Sequence, residues 1–161
     1  MLLTKLTYFN FSANSIQWVR SYLSNRKQCV LVNGTKSPYL VNPVGVPQGS
    51  ILGPLLFSLY INDLPNVCPD LNVQMYADDA VIFVHGKNTE IISSCLSNNL
   101  DKVQHWLNNN CLQLYAKKTV CMMLSKRPVK IEGSNVFLNG AEIELVPLQV
   151  SWSHTGLKLD F

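Results

Sequence analysis

Charged residues are scarce in this sequence, and acidic ones are missing from its beginning, because the first Asp or Glu is Asp63. Only 14% of the 161 residues are charged, 47% are hydrophobic, and the formal net charge is +3. So much apolar material excludes a disordered tail, and so small a positive charge excludes a protein held on DNA by charge alone. The length suits one domain or a piece of a larger one.

Paired metal-binding cysteines, a signal peptide and a long apolar run are also missing. The five cysteines form no Cys-x-x-Cys pair and no Cys/His box, which argues against a structural zinc site. An odd number of cysteines without a signal peptide predicts free thiols in a reducing, intracellular compartment. The longest apolar run, residues 51–61, contains Gly53, Pro54 and Ser58 and is too short to cross a bilayer. We therefore expect a protein that is neither secreted nor membrane-spanning.

Local patterns in the first part of the chain predict two helices and a hairpin. Apolar spacing favours a helix from Asn14 to Leu23. The alternating residues 29–32 are followed by Asn33-Gly34, a strong turn signal, so a strand returning through residues 39–41 is expected. Residues 45–50 form a turn-rich loop, and an apolar helix runs from there towards Asp63.

The rest of the chain mixes strands with one long helix. Two β-prone runs, residues 73–76 and 81–84, flank an acidic turn and predict a second hairpin. The clearest helix spans roughly Thr89 to Leu107, with Thr89 as its N-cap. Residues 119–124 predict a strand, and the Asn-Gly pair at 139–140 predicts a small terminal hairpin. The order lacks regular βαβ alternation, so the predicted fold class is α+β.

The adjacent carboxylates Asp78 and Asp79 stand between two apolar strands and allow two interpretations. One is an ordinary Asp-rich turn, which explains most such pairs. The other is a magnesium site, because Mg²⁺ takes hard oxygen ligands, commonly one or two carboxylates together with water and substrate phosphates. The spacing of the two residues does not decide between these interpretations.

Three motifs follow one another along the chain. They read Val-Pro-Gln-Gly-Ser-Ile-Leu-Gly-Pro-Leu-Leu-Phe at 46–57, Tyr-Ile-Asn-Asp-Leu-Pro at 60–65 and Tyr-Ala-Asp-Asp at 76–79. In order and distance they closely resemble the fingers–palm core of reverse transcriptases, and most of all those of non-LTR (LINE-type) retrotransposons. Further stretches, at 21–28 and 106–119, are similar to neighbouring blocks of that family. The resemblance runs from about Leu2 to Leu124 and weakly beyond.

The resemblance implies a role for several residues. Asp78 would ligate Mg²⁺ (or Mn²⁺) directly, Asp79 would be a second or weaker ligand, and Tyr76 would shape the strand near the primer end. Gln48 would contact the incoming nucleotide and template, while Gly49 lets the backbone approach closely. Lys118 matches the lysine that would meet the triphosphate. Read without the resemblance, residues 45–53 favour a helix-entry loop, and the lysine favours a solvated strand entry.

The resemblance also implies an RNA-directed DNA polymerase with an RNA template, a DNA primer and dNTPs as partners, and neither a membrane nor a stable protein partner. Residues 1–125 would be part of the fingers and an antiparallel palm sheet with packed helices, and residues 126–161 would begin the connection to the thumb. Arg20, Arg26 and Lys27 are candidates to contact nucleic-acid phosphates, although a plain surface charge explains each of them equally well.

One part of the family pattern has no counterpart here. The palm of these enzymes uses a further carboxylate, on an earlier strand with a box like Asp-x-x-x-Ala-Phe-Asp, and Met1 to Leu6 resembles the stretch that follows this box. We therefore expect an N-terminally truncated catalytic domain with an incomplete two-metal site and an unpaired sheet edge beside the acidic hairpin. Such a chain would be inactive alone; the alternative is a non-catalytic retroelement remnant that binds nucleic acid weakly.

Overall fold

The computed structural model describes residues 1–114, 118–125, 135–138, 140–143, 145–149 and 155–160, and its backbone divides into two compact units, residues 1–61 and 62–161. The first unit holds three α-helices and four short strands: α1 (Leu2–Tyr8), α2 (Ala13–Leu23), β1 (Lys27–Gln28), β2 (Leu31–Val32), β3 (Thr35–Lys36), β4 (Leu40–Val41) and α3 (Leu52–Ile61). The second holds one 3₁₀ turn (Leu64–Val67), one long helix and the remaining strands: β5 (Asn72–Tyr76), β6 (Asp79–Val84), α4 (Thr89–Asn109), β7 (Val120–Ser125), β8 (Val136–Leu138), β9 (Ala141–Ile143), β10 (Leu145–Gln149) and β11 (Thr155–Asp160).

The helices of residues 1–61 pack around a small apolar core. Its buried members are Leu6, Val19 and Leu56, one from each helix. Lys5 adds a polar tie, because its Nζ donates a hydrogen bond to the carbonyl oxygen of Tyr60 at 2.7 Å and lies 4.9 Å from the centre of that residue's ring. The predicted helices α2 and α3 are both confirmed, whereas α1 was not predicted.

Between α2 and α3 the chain forms an exposed two-stranded ribbon. Asn33 and Gly34 both have positive φ, 48° and 79°, as the two-residue hairpin turn predicted at this pair requires. The returning strand begins directly after the turn, since β2 pairs with β3. The expected strand at residues 39–41 also exists, as β4, but it pairs with β1 and not with residues 29–32. The ribbon is therefore longer than predicted.

A five-stranded sheet with the order β10-β7-β11-β6-β5 organises residues 62–161. All its pairs are antiparallel except β10 with β7, which is parallel. The expectation of a purely antiparallel sheet is therefore wrong at this edge, because the small hairpin β8–β9 lies between the two parallel strands in the sequence. Helices and sheets together confirm the α+β class.

Helix α4 covers the inner face of this sheet with an apolar stripe. Leu96, Leu100, Val103 and Leu107 are at most 1% exposed and pack with Ala80 and Ile82 of β6, which are fully buried. The N-cap prediction is wrong by one residue. Asn88, with an extended backbone, accepts a hydrogen bond from the Glu90 amide at 2.8 Å, so Thr89 is the first residue of the helix.

The expected unpaired edge beside the acidic hairpin lies at β5, which ends the sheet order and has β6 as its one strand partner in the described residues. Strand β6, the second strand of the hairpin, lies between β5 and β11. It pairs with β11 from Asp79 to Val84 and with β5 from Asp79 to Phe83. β11 was not predicted, although Leu157-Lys158-Leu159-Asp160 alternates as a strand does. In the described residues, β11 therefore covers the β6 side of the hairpin, and the unpaired edge is on the β5 side.

None of the helices in the described part of the chain combines the length and the apolarity that a membrane span requires. All five cysteines are free thiols, as predicted. The boundary expected at residues 125 and 126 remains a prediction.

Candidate active site

The acidic hairpin is a tight two-residue turn between β5 and β6. Tyr76 and Asp79 are the last register pair, so Ala77 and Asp78 alone form the turn. Ala77 has a φ of 52°, the left-handed region that non-glycine residues adopt only at a cost. The expected four-residue turn at 77–80 is therefore too long by two. β6 begins at Asp79 because Ala80 is needed in the core, where it is fully buried.

The alternation of strand side chains sets the direction of the acidic residues. Ala80 faces the core, so Asp79 and its cross-strand partner Tyr76 lie on the opposite face of the sheet. Tyr76 is 84% exposed and Asp79 is half-buried. Asp78 is exposed in the turn itself. The hairpin thus presents one carboxylate at its tip and a second on the open face beside it.

The backbone register of β11 places another acidic residue in the same row. Asp160 lies opposite Asp79, on the side of β6 away from β5. Sequence reasoning missed this neighbour because the pairing joins distant parts of the chain. In the described residues, no group of three or more His, Cys, Asp or Glu side chains is placed to hold a metal ion.

Lys118 lies at the acidic end of the sheet. The backbone of Lys158 pairs with Val81 of β6 on one side and with Val120 of β7 on the other. β6 and β7 run in the same direction, so the start of β7 at Val120 lies at the same end of the sheet as Asp79, and Lys118 precedes that strand by two residues. Its side chain is exposed.

The glycine-containing loop before α3 is a turn, Pro47–Ser50, that is hydrogen-bonded to the first turn of the helix. The Ser50 amide donates to the Pro47 carbonyl at 3.2 Å, and Gly49 has a φ of 78°, the pattern of a type II turn. The Ser50 hydroxyl donates to the same carbonyl at 2.7 Å and accepts from the Gly53 amide at 3.0 Å. Gln48, at the second position of the turn, is exposed.

Gly53 is buried where the turn meets α3, and a Cβ there would crowd its neighbours. An added Cβ would lie 3.0 Å from the Ser50 hydroxyl oxygen and 3.2 Å from the Pro47 carbonyl oxygen. The Ser50–Gly53 hydrogen bond therefore helps to fix the turn in which Gln48 is exposed. Sequence reasoning identified the loop and Gln48 but not the hydrogen bonds that hold the turn. The spacing of Ser50 and Gly53, three residues apart, was the signal for those bonds.

The three basic candidates differ in what their side chains do. Arg20, on α2, and Lys27, on β1, are exposed. Arg26 is half-buried, and its guanidinium donates to the carbonyl oxygens of Leu23, Val44 and Gly45. The structure therefore brings Tyr76, Asp78, Asp79 and Lys118 to one end of one sheet. Gln48, Gly49, Arg20, Arg26 and Lys27 belong to the unit of residues 1–61.

Comparison with known proteins gives one consistent result. Residues 2–139 match the family described as reverse transcriptase (RNA-dependent DNA polymerase). The RNA-directed DNA polymerase from mobile element jockey of Drosophila melanogaster is 32% identical over 149 residues, 88% of this chain and 16% of the relative. The probable RNA-directed DNA polymerase from transposon BS of the same organism is 30% identical over 131 residues, 71% of this chain and 14% of the relative.

A third relative comes from another organism. The Pol polyprotein from type-1 retrotransposable element R1 of Nasonia vitripennis is 31% identical over 100 residues, 61% of this chain and 29% of the relative. The chain thus spans less than a third of the length of each of these relatives. No solved structure is significantly similar to it.

Proposed function

Because the chain belongs to the reverse transcriptase family, we propose that its acidic hairpin is the metal-binding part of a site that joins nucleotides to a DNA primer on an RNA template. The observation that carries this proposal is the tight β5–β6 turn with Asp78 at its exposed tip and Asp79 on the adjoining open face. In this view the unit of residues 62–161 is part of a polymerase palm, and that of residues 1–61 is part of the fingers.

The donors at the tip suit a hard divalent cation. Asp78 and Asp79 offer carboxylate oxygens only, and Mg²⁺ takes one or two such groups and fills its other positions with water and substrate phosphate. Bound there, Mg²⁺ (or Mn²⁺) would polarise the reacting phosphate and neutralise charge on the pyrophosphate that leaves. Asp78 would hold the ion at the tip, and Asp79 would complete its binding from the open face.

The remaining candidates would bind and orient the substrates. The exposed side chain of Gln48 would contact the incoming nucleotide and the template, held by the type II turn at Gly49. Tyr76, exposed beside Asp79, would lie near the primer end, and Lys118 would meet the triphosphate from the same end of the sheet. Arg20 and Lys27 would contact phosphates without reading sequence, so their effect should weaken as salt is added.

Metal binding by the 161-residue chain tests the central part of the proposal. Titration with Mn²⁺, followed by its electron paramagnetic resonance signal, should reveal binding that Asp78→Asn weakens by about tenfold or more. Asp101→Asn is the matched control, because Asp101 is an exposed carboxylate on α4 in the same unit. Equal affinities of the two variants would refute the assignment of Asp78.

Primer extension tests the activity itself. The chain spans a small part of its relatives, so the assay should compare it with a version in which an Asp-x-x-x-Ala-Phe-Asp strand precedes Met1. On an RNA template with a DNA primer, the extended version should incorporate dNTPs, and Asp78→Asn should reduce incorporation by about 100-fold or more. No incorporation by either version, together with no Mn²⁺ binding, would favour the alternative of a non-catalytic remnant.

A further inference from the structure

Arg26 binds two other segments of the first unit through a single side chain. Its Nε donates to the carbonyl oxygen of Leu23 at 3.2 Å, and its Nη2 donates to the carbonyl oxygen of Val44 at 2.9 Å and to that of Gly45. Its own carbonyl oxygen accepts from the Asn42 amide at 2.8 Å. The side chain and the main chain of this residue therefore both bind the segment that leaves β4.

The segment held in this way leads directly into the turn that carries Gln48. Val44 and Gly45 lie outside the helices and strands, between β4 and the Pro47–Ser50 turn. Gly45 has a φ of 72°, so its peptide adopts a conformation that few other residues share and that costs conformational freedom to fix. Leu23, the third acceptor, is the last residue of α2. The guanidinium thus anchors a glycine-containing loop to the end of a helix.

An arginine suits this position for a geometric reason. The planar guanidinium directs several N–H groups along fixed lines, so it can serve carbonyl oxygens of two separate segments at once. The side chain is half-buried; its bond to Leu23 is partly buried, and its bonds to Val44 and Gly45 lie at the surface. Lys27, the next residue, is exposed on β1 and provides a natural comparison.

We propose that Arg26 is a positioning residue that holds residues 44–46 in place, so that the Pro47–Ser50 turn presents Gln48 in one fixed direction. The functional consequence of this inference rests on the proposed function, in which Gln48 contacts the nucleotide and the template. It changes the role expected for Arg26, whose donors bind carbonyl oxygens of its own chain in place of nucleic-acid phosphates.

Hydrogen exchange in the 161-residue chain tests the positioning directly. Arg26→Gln should speed exchange of the Asn42 and Ser50 amides, which are hydrogen-bonded on either side of residues 44–46, by about tenfold, while exchange in α4 stays unchanged. Lys27→Gln should change neither region. Arg26→Lys should restore part of the protection, since an ammonium can reach one acceptor but not all three. Exchange of the Asn42 and Ser50 amides that is the same in Arg26→Gln and Lys27→Gln would overturn the proposal.

The substrate dependence of primer extension, in the extended version described above, tests the consequence. Arg26→Gln should raise the KM for dNTP by about tenfold with kcat within about twofold, because the nucleotide contact is misplaced while the metal-binding hairpin is intact. A loss of primer–template affinity that salt removes would instead show a phosphate contact and overturn the positioning role. If the unsubstituted protein extends no primer, the proposed function fails, and hydrogen exchange alone decides whether Arg26 holds the turn.

Discussion

Gly49 is the residue on which the shape of the Gln48 turn depends most. Its φ of 78° is unfavourable for any residue with a Cβ, yet an added Cβ would meet no atom within 4 Å. The cost of Gly49→Ala is therefore conformational only, and we expect the free energy of unfolding to fall by about 1 kcal/mol. Urea denaturation followed by the fluorescence of Trp18, with Trp106 and Trp152 replaced by Phe, would measure it.

Gln48→Ala is the matched control for this substitution, because Gln48 is the exposed neighbour in the same turn. It should leave the free energy of unfolding within about 0.5 kcal/mol of the original value. If the proposed function is right, it should also raise the KM for dNTP. Equal losses of stability in Gly49→Ala and Gln48→Ala would contradict the type II turn.

At the scale of single residues, the sequence identified the candidate functional side chains better than it identified their hydrogen-bond partners. Asp78, Asp79 and Gln48 could be singled out because their motifs are contiguous and stand in turns that the chain forms locally. The contacts of Arg26 could not be predicted, since two of its acceptors are main-chain carbonyl oxygens 18 and 19 residues away. A carbonyl oxygen has the same chemistry in every residue, so no sequence pattern marks it as a partner.

Among the helices and strands, those formed by local interactions were predicted, and those positioned by distant partners were not. α4 and the β5–β6 hairpin were predicted because apolar spacing, caps and turn residues act over a few positions. β11 and the parallel pair β10–β7 were not predicted, since their positions are set by partners far away in the sequence. The consequence for the site is that β11 covers the β6 side of the acidic hairpin and leaves β5 as the edge strand.

The N-cap of α4 gives a test at this scale. The side chain of Asn88 satisfies the Glu90 amide, which has no partner within the helix at that position. Asn88→Ala should therefore lower the free energy of unfolding by about 1 kcal/mol, as loss of a cap does elsewhere. Thr89→Ala, at the first helical position, should have a smaller effect. Urea denaturation of both variants, followed by circular dichroism, would compare them, and a larger loss for Thr89→Ala would restore the original cap prediction.

For the molecule as a whole, the two units have separate cores of different size. Three buried side chains, Leu6, Val19 and Leu56, hold residues 1–61, whereas the core of residues 62–161 combines α4, the sheet and the β8–β9 hairpin. Leu100 is fully buried in the second core and Leu6 in the first, so they form a matched pair for Leu→Ala substitution. A large-to-small change of this kind costs about 2–5 kcal/mol in a well-packed core.

Cys121 reports on the second core through its reactivity. It is fully buried on β7, and burial raises the pKa of its thiol to about 11. At pH 8 only about one folded molecule in a thousand would carry the reactive thiolate, so alkylation should proceed mainly when the unit opens. Leu100→Ala should speed the labelling of Cys121 by roughly 30-fold or more, measured by mass spectrometry at pH 8. Leu6→Ala should change it by less than about twofold, because it weakens the other core. Equal acceleration by both substitutions would mean that the two units open together.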